Sequence, residues 1–135
     1  MSTQQRPLPQ TTVITQPFWD ACAEKKLVIQ QCNECGNKQF YPRILCLQCA
    51  SDDLQWLQCS GKGLIYSYTV NHRAPHAYFK EKLPYVVAVV TLDEGVRMLA
   101  NIFNFDREKL AINAAVKVVF ENTEQGFTLP EFELL

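Results

Sequence analysis

Four cysteines in two pairs constrain this chain more than any other feature. The stretch from Leu27 to Ala50 reads LVIQQCNECGNKQFYPRILCLQCA, with Cys32 and Cys35 in one Cys-x-x-Cys pair and Cys46 and Cys49 in the other. Ten residues separate the pairs. A Cys-x-x-Cys turn aims two sulfurs at one point, and two such turns make a closed tetrahedral S4 site of the kind that holds structural zinc. The spacer is long enough for a strand to leave one knuckle and return to the other. Gly36 follows the first pair, where a tight turn calls for positive φ. The pattern predicts a zinc ribbon. Spacing alone does not choose the metal, since tetrahedral S4 also accepts iron. A redox site would need only one pair. A disulfide framework suits small secreted domains, yet the N-terminus MSTQQRPLPQTTVITQ is polar, with no apolar signal core. Four Cys ligands leave no position for water, so the metal is expected to hold the fold rather than do chemistry.

The charge balance narrows the function. There are 13 basic and 14 acidic residues, for a net charge of -1. A dedicated nucleic-acid binder carries a basic footprint, which this chain as a whole lacks. Single-stranded nucleic-acid binding is therefore the alternative reading, with Tyr66, Tyr68 and Phe103 as stacking surfaces, though their strands are expected to form a core. No apolar run reaches the length of a membrane span. A cytoplasmic protein with no membrane partner is expected. Cys22 and Cys59, outside the two pairs, read as small buried hydrophobes. Neither has a nearby base that would make it a nucleophile.

At 135 residues the chain makes one domain or two very small ones. Residues 1–14, with Pro7 and Pro9, read as a flexible arm. Residues 15–26 read as a helix with Thr15 at the N-cap and Pro17 in the first turn. Its Phe18 and Cys22 share one face, flanked by Trp19 and Ala23, and Lys25 and Lys26 suit its C-terminal end. The aromatic face is expected to pack on the chain's own core, with docking to another subunit as the second reading. Residues 27–53 form the ribbon, with strands at Leu27–Gln31 and Gln39–Tyr41. Arg43 beyond them reads as a solvated charge.

Residues 54–135 change period. Gly61-Lys62-Gly63 is a turn, after which Leu64 to Asn71 alternates as a strand. Residues 72–83 (HRAPHAYFKEKL) form a loop of about a dozen residues. Pro84–Leu92, Val96–Phe103, Ala114–Glu121 and Phe127–Leu135 follow as strands, the last interrupted by Pro130, which belongs at an edge or bulge. Asp93-Glu94-Gly95 is a hairpin turn rather than a carboxylate pair. Residues 104–110 are expected to make one or two helical turns. Five strands, with that short segment between the third and fourth, match an OB-fold barrel. The fold class is thus mainly β, with an N-terminal helix, a zinc ribbon and a five-stranded OB-fold barrel.

The ordered motifs extend beyond the cysteines. A Phe-Trp helix leads into Leu-Val-Ile-Gln-Gln-Cys-Asn-Glu-Cys-Gly. Phe-Tyr-Pro-Arg, the second Cys pair, Ser-Gly-Lys-Gly, Tyr-Ser-Tyr-Thr-Val, Pro-Tyr-Val-Val-Ala and Leu-Asp-Glu-Gly-Val-Arg follow. Over residues 15–134 the chain resembles the DUF35 family. It departs at Asn113, where the family tends to carry Gly; Asn also tolerates the left-handed region. The resemblance implies a non-catalytic accessory subunit in acyl-CoA metabolism. Its partners would be thiolase-like enzymes, related aldolases or hot-dog-fold hydratases, with the barrel helping to form a channel for a coenzyme A thioester.

One loop suits such a ligand. His72, Arg73, His76, Tyr78, Lys80 and Lys82 cluster between the first two barrel strands, where OB-folds bind ligands. Arg73, Lys80 and Lys82 are candidate contacts to the phosphates of coenzyme A, with Tyr78 or Phe79 stacking on its adenine. A plain solvated loop is the competing reading. Pro75 between the histidines argues against a helical metal pair.

Overall fold

The computed structural model describes residues 8–73, 84–103, 105–123 and 126–135. A helix α1 (Gln16–Ala23) precedes two sheets. The first sheet holds β1 (Val28–Cys32), β2 (Lys38–Gln39) and β3 (Leu54–Gln58), in the order β2-β1-β3. The second holds β4 (Lys62–Asn71), β5 (Tyr85–Leu92), β6 (Arg97–Asn101), β7 (Ala115–Asn122) and β8 (Thr128–Leu134), in the order β6-β5-β4-β7-β8. All strand pairs are antiparallel. A parallel bridge between Ile102 and Phe132, with the Phe103 amide donating to the Phe132 carbonyl at 2.6 Å, joins the two ends of the second sheet into a nearly closed barrel. Closure of this kind reduces the free strand edge that would attract other chains.

The barrel core follows from alternation. Val86, Ala88, Val90 and Leu92 of β5 all point inward and are buried, against Ile65, Val116 and Phe132. Burying one such side chain contributes roughly 1.5–3 kcal/mol. The alternation in β4 is broken by a bulge between Ile65 and Ser67. An extra residue there reverses the facing of everything beyond it. Leu64 and Tyr66 therefore stand outside, 45% and 50% exposed, while Tyr68 and Val70 pack on the core. This corrects the expectation that the strand aromatics all face inward: Tyr66 and Phe103 are half exposed, and only Tyr68 packs on the core, its hydroxyl donating to the Leu110 carbonyl. Gly63 lies where a Cβ would fall 2.5 Å from the Thr91 carbonyl oxygen, so its absence lets β4 and β5 approach.

Helix α1 is shorter than expected. Lys25 takes a left-handed conformation (φ 62°), its amide donating to the Cys22 carbonyl and that of Lys26 to the Ala21 carbonyl. That is a Schellman closure, with Lys where Gly is commoner. Thr15 precedes the helix without capping it by its side chain, and instead bonds with Thr12. The aromatic face is spent internally. Phe18 and Trp19 are buried, with Phe18 against Phe40 of the ribbon (5.4 Å between centroids) and Trp19 against Phe127 beside the barrel (5.1 Å). The helix clasps the two sheets together, so the second reading, a free docking face, does not hold for it.

Other local expectations meet the structure with small changes. The division between residues 53 and 54 falls just before β3, which pairs along the whole of β1 inside the first sheet. Leu8, in the arm, packs against the core. Among the described residues of 104–110 there is a single turn, in which the Leu110 amide reaches the Asp106 carbonyl. Asn113 is left-handed (φ 68°), as is Gly95 in its hairpin (φ 94°). Pro130 lies on β8, opposite Phe120.

Candidate metal centre

The four cysteine sulfurs converge. All lie within 4.8 Å of one another. Cys32 Sγ is 3.6 Å from Cys49 Sγ, and Cys35 Sγ is 3.5 Å from Cys46 Sγ. Zinc–sulfur bonds of about 2.3 Å in a tetrahedron hold sulfurs about 3.8 Å apart, so the set fits zinc. The distances far exceed the ~2.05 Å of a disulfide. The donor set is wholly sulfur, which is the chemistry of a structural site.

The two knuckles are built alike. In each, the residue after the second Cys is left-handed: Gly36 at φ 78° and Ala50 at φ 62°. In each, the first Cys is buried and the second exposed. Backbone amides turn toward the first sulfur, with the Cys35 amide 3.5 Å from Cys32 Sγ and the Gln48 amide 3.3 Å from Cys46 Sγ. The Cys35 amide foremost draws the Cys32 thiol below its ordinary value. The Cys49 amide foremost, with that of Gln48, draws Cys46 down to about 6. Such amides favour the thiolates of Cys32 and Cys46, whereas at Cys35 and Cys49 the Asn37 and Ser51 amides are outweighed by desolvation and the neighbouring thiols, which push both up.

Beneath the second knuckle lies a pair of buried amides. Gln30 and Gln39 are each 4% exposed and face each other across β1 and β2. The Gln39 side-chain amide donates to Gln30 Oε1 at 2.9 Å. Gln30 also accepts from the Arg43 backbone amide and donates to its carbonyl, both at 2.8 Å. Gln39 donates to the Leu45 carbonyl and accepts from the Leu47 amide. Two side chains thus fix the loop from Arg43 to Leu47. Sequence reasoning missed them. The available signal was position: Gln30 stands two residues before the inward ligand Cys32, so it shares that face.

Of the expected coenzyme A contacts, the structure describes Arg73 alone. Arg73 is exposed just beyond β4. Tyr78, Lys80 and Lys82, like Phe79 and His76, lie outside the described residues. Asp93 and Glu94 form the hairpin turn as expected and also accept bonds from Ser60. Cys22 and Cys59 are buried as expected, and burial foremost pushes both thiols up to about 12. Among the described residues no helix is long and apolar enough to cross a membrane.

The architecture has known counterparts. Residues 19–55 match the family described as the ChsH2 rubredoxin-like zinc ribbon domain, and residues 56–121 the ChsH2 C-terminal OB-fold domain. A probable enoyl-CoA hydratase alpha subunit of Thermomonospora curvata is 36% identical over 116 residues, 85% of this chain but 36% of that one. The chain thus spans only about a third of that relative's length. A solved chain of an Ltp2-ChsH2(DUF35) aldolase superposes with a TM-score of 0.84 at 32% identity, covering 94% of this chain and 98% of that one. A DUF35 domain-containing scaffold protein of Methanothermobacter thermautotrophicus is 40% identical over 96 residues, 70% of this chain and 71% of that one. With ribbon and barrel matched in order and a scaffold relative aligned over most of its own length, the chain belongs to the DUF35 family.

Proposed function

We propose that this protein is a non-catalytic accessory subunit of an acyl-CoA-processing enzyme, bridging subunits and helping to form the channel for a coenzyme A thioester. The observation that carries the reading is the likeness to the aldolase chain, which this protein covers almost end to end. The partner would be a thiolase-like or hydratase subunit. The metal centre supports a structural role, since four thiolates leave a metal no open position for substrate. Zinc bound there would lock the knuckles, while Gln30 and Gln39 hold the loop beside them. Arg73, Tyr78, Lys80 and Lys82 would meet the phosphates and adenine of coenzyme A from the loop after β4.

The test is isolation from the native cell at natural abundance, with co-purifying proteins identified by mass spectrometry. A thiolase-like or hydratase subunit in fixed ratio is expected, and turnover of acyl-CoA by that complex should fall when this chain is removed. Nuclease-sensitive nucleic acid or ribosomal proteins in its place would overturn the reading.

A further inference from the structure

The two knuckles match in their turns but differ in what holds them. The first sits between paired strands, with Cys32 at the end of β1 and Gln30 and Gln31 opposite Gln39 and Lys38 of β2. Its Cys32 amide donates to the Asn37 carbonyl at 2.9 Å, which closes the hairpin. The second knuckle has no such frame, for no strand runs between Gln39 and Leu54. The Cys46 amide finds its acceptor inside the knuckle, at the Ser51 carbonyl. The peptide groups on either side of Cys46 must be partnered by something other than a strand.

One side chain partners both. Gln39 Nε2 donates to the Leu45 carbonyl at 3.2 Å, and Gln39 Oε1 accepts from the Leu47 amide at 3.0 Å. A donor and an acceptor placed side by side are what a neighbouring strand would offer there. The second N–H of Gln39 goes to Gln30 Oε1 at 2.9 Å, so both of its donors are used. A flipped amide would set donor against donor at Leu47 and acceptor against acceptor at Leu45, so the network admits one orientation. Gln30 is fixed in turn by the backbone of Arg43, whose side chain is exposed, as a solvated charge should be. Strand β1 thus carries the ligand Cys32 and, two residues before it, the amide that orients Gln39.

We propose that Gln39 is a positioning residue for the metal. Its amide replaces the missing strand beside Cys46 and governs how firmly the second knuckle keeps its hold. With both flanking peptides bonded, the Cys46 backbone is set, and its sulfur stands 3.5 Å from that of Cys35, as a shared metal requires. Gln39 touches no sulfur among its bonds and acts through Cys46. Outer partners that orient a ligand typically change metal affinity by about 10–100-fold. The inference does not depend on the acyl-CoA reading, for it concerns the ribbon alone.

The test uses the full zinc-loaded chain and two readouts. Competition with a chromogenic chelator gives zinc affinity, and iodoacetamide labelling in excess zinc, read by peptide mass spectrometry, shows which cysteines leave the metal first. Gln39→Met keeps much of the side-chain volume and removes the bonds. It should weaken zinc binding by about tenfold or more. Cys46 and Cys49 should be alkylated ahead of Cys32 and Cys35, while the parent stays protected over the same period. Leu57→Ala, on β3 opposite Ile29, controls for lost stability, since that side chain packs on the core. It should weaken zinc binding through folding alone, with no order among the cysteines. Gln30→Met leaves the Gln39 bonds to Leu45 and Leu47 and should give the same order of labelling at a smaller loss of affinity. It decides the matter if Gln39→Met holds no zinc. Parent-like affinity in Gln39→Met, simultaneous labelling of all four cysteines in both glutamine variants, or the same order in Leu57→Ala would overturn the proposal.

Discussion

The ribbon and the barrel are held by different physics. The barrel buries a continuous apolar set, with Ile65, Val86, Val90, Leu92, Val116 and Phe132 all 2% exposed or less. In the ribbon, Val28 and Ile29 join that core, and the other buried positions include Gln30, Cys32, Gln39 and Cys46. Its sheet runs only from Val28 to Gln58, and β2 has two residues. A unit that small rarely folds on apolar burial alone and usually needs a metal or disulfides. The barrel should carry its own stability, while the ribbon should depend on ligands and hydrogen bonds.

The sharpest test of that contrast is Cys46→Ser. Zinc should be lost, and with it folding free energy on the order of 10 kcal/mol, as in zinc-finger peptides. Metal analysis with calorimetry should show the ribbon gone and a barrel transition remaining. Loss of both transitions together would break the contrast and make α1 the reason, since it grips both halves. Phe132→Ala should do the reverse. It should cost about 3–5 kcal/mol in urea unfolding, through the cavity it leaves, while zinc content stays at parent level. Gln39→Ala should cost about 1–3 kcal/mol by stranding the Leu47 amide and Gln30, and should do so in the ribbon.

Smaller effects separate the halves further. Cys22 ionises near 9.0 when exposed and near 12 when buried. Below pH 9 both states keep the proton, so stability there should not depend on this thiol. Between pH 9 and 12 only the unfolded chain releases it, so stability should fall as pH rises. Melting temperature against pH for the parent and Cys22→Ala should diverge in that window alone. Ala50→Gly should raise ribbon stability by about 0.5–1 kcal/mol, because the left-handed position would no longer strain a Cβ. An unchanged or lower melting temperature would mean that the two knuckles are not equivalent.

What could be read in advance was whatever is local. The ligand set followed from two turns of fixed geometry, and positive φ at Gly36 and Asn113 from residue type and place. The five barrel strands followed from alternation and the turns between them. What escaped depends on partners distant in sequence. The β4 bulge shows only against β5, since Leu64 to Asn71 alternates smoothly by itself. β3 belongs to the ribbon because β1 lies beside it, not because of its own residues. The helix stops at Ala23 because Lys25 turns left-handed, which nothing in a lysine announces.

The bridge between Ile102 and Phe132 has one further consequence. By pinning the outermost strands of the barrel sheet to each other, it leaves that half less free edge for another polypeptide to lengthen. The ribbon sheet keeps two terminal strands, β2 and β3. Growth by strand addition, whether useful or the start of an aggregate, is thereby steered to the half of the molecule whose shape is conditional on its cysteines.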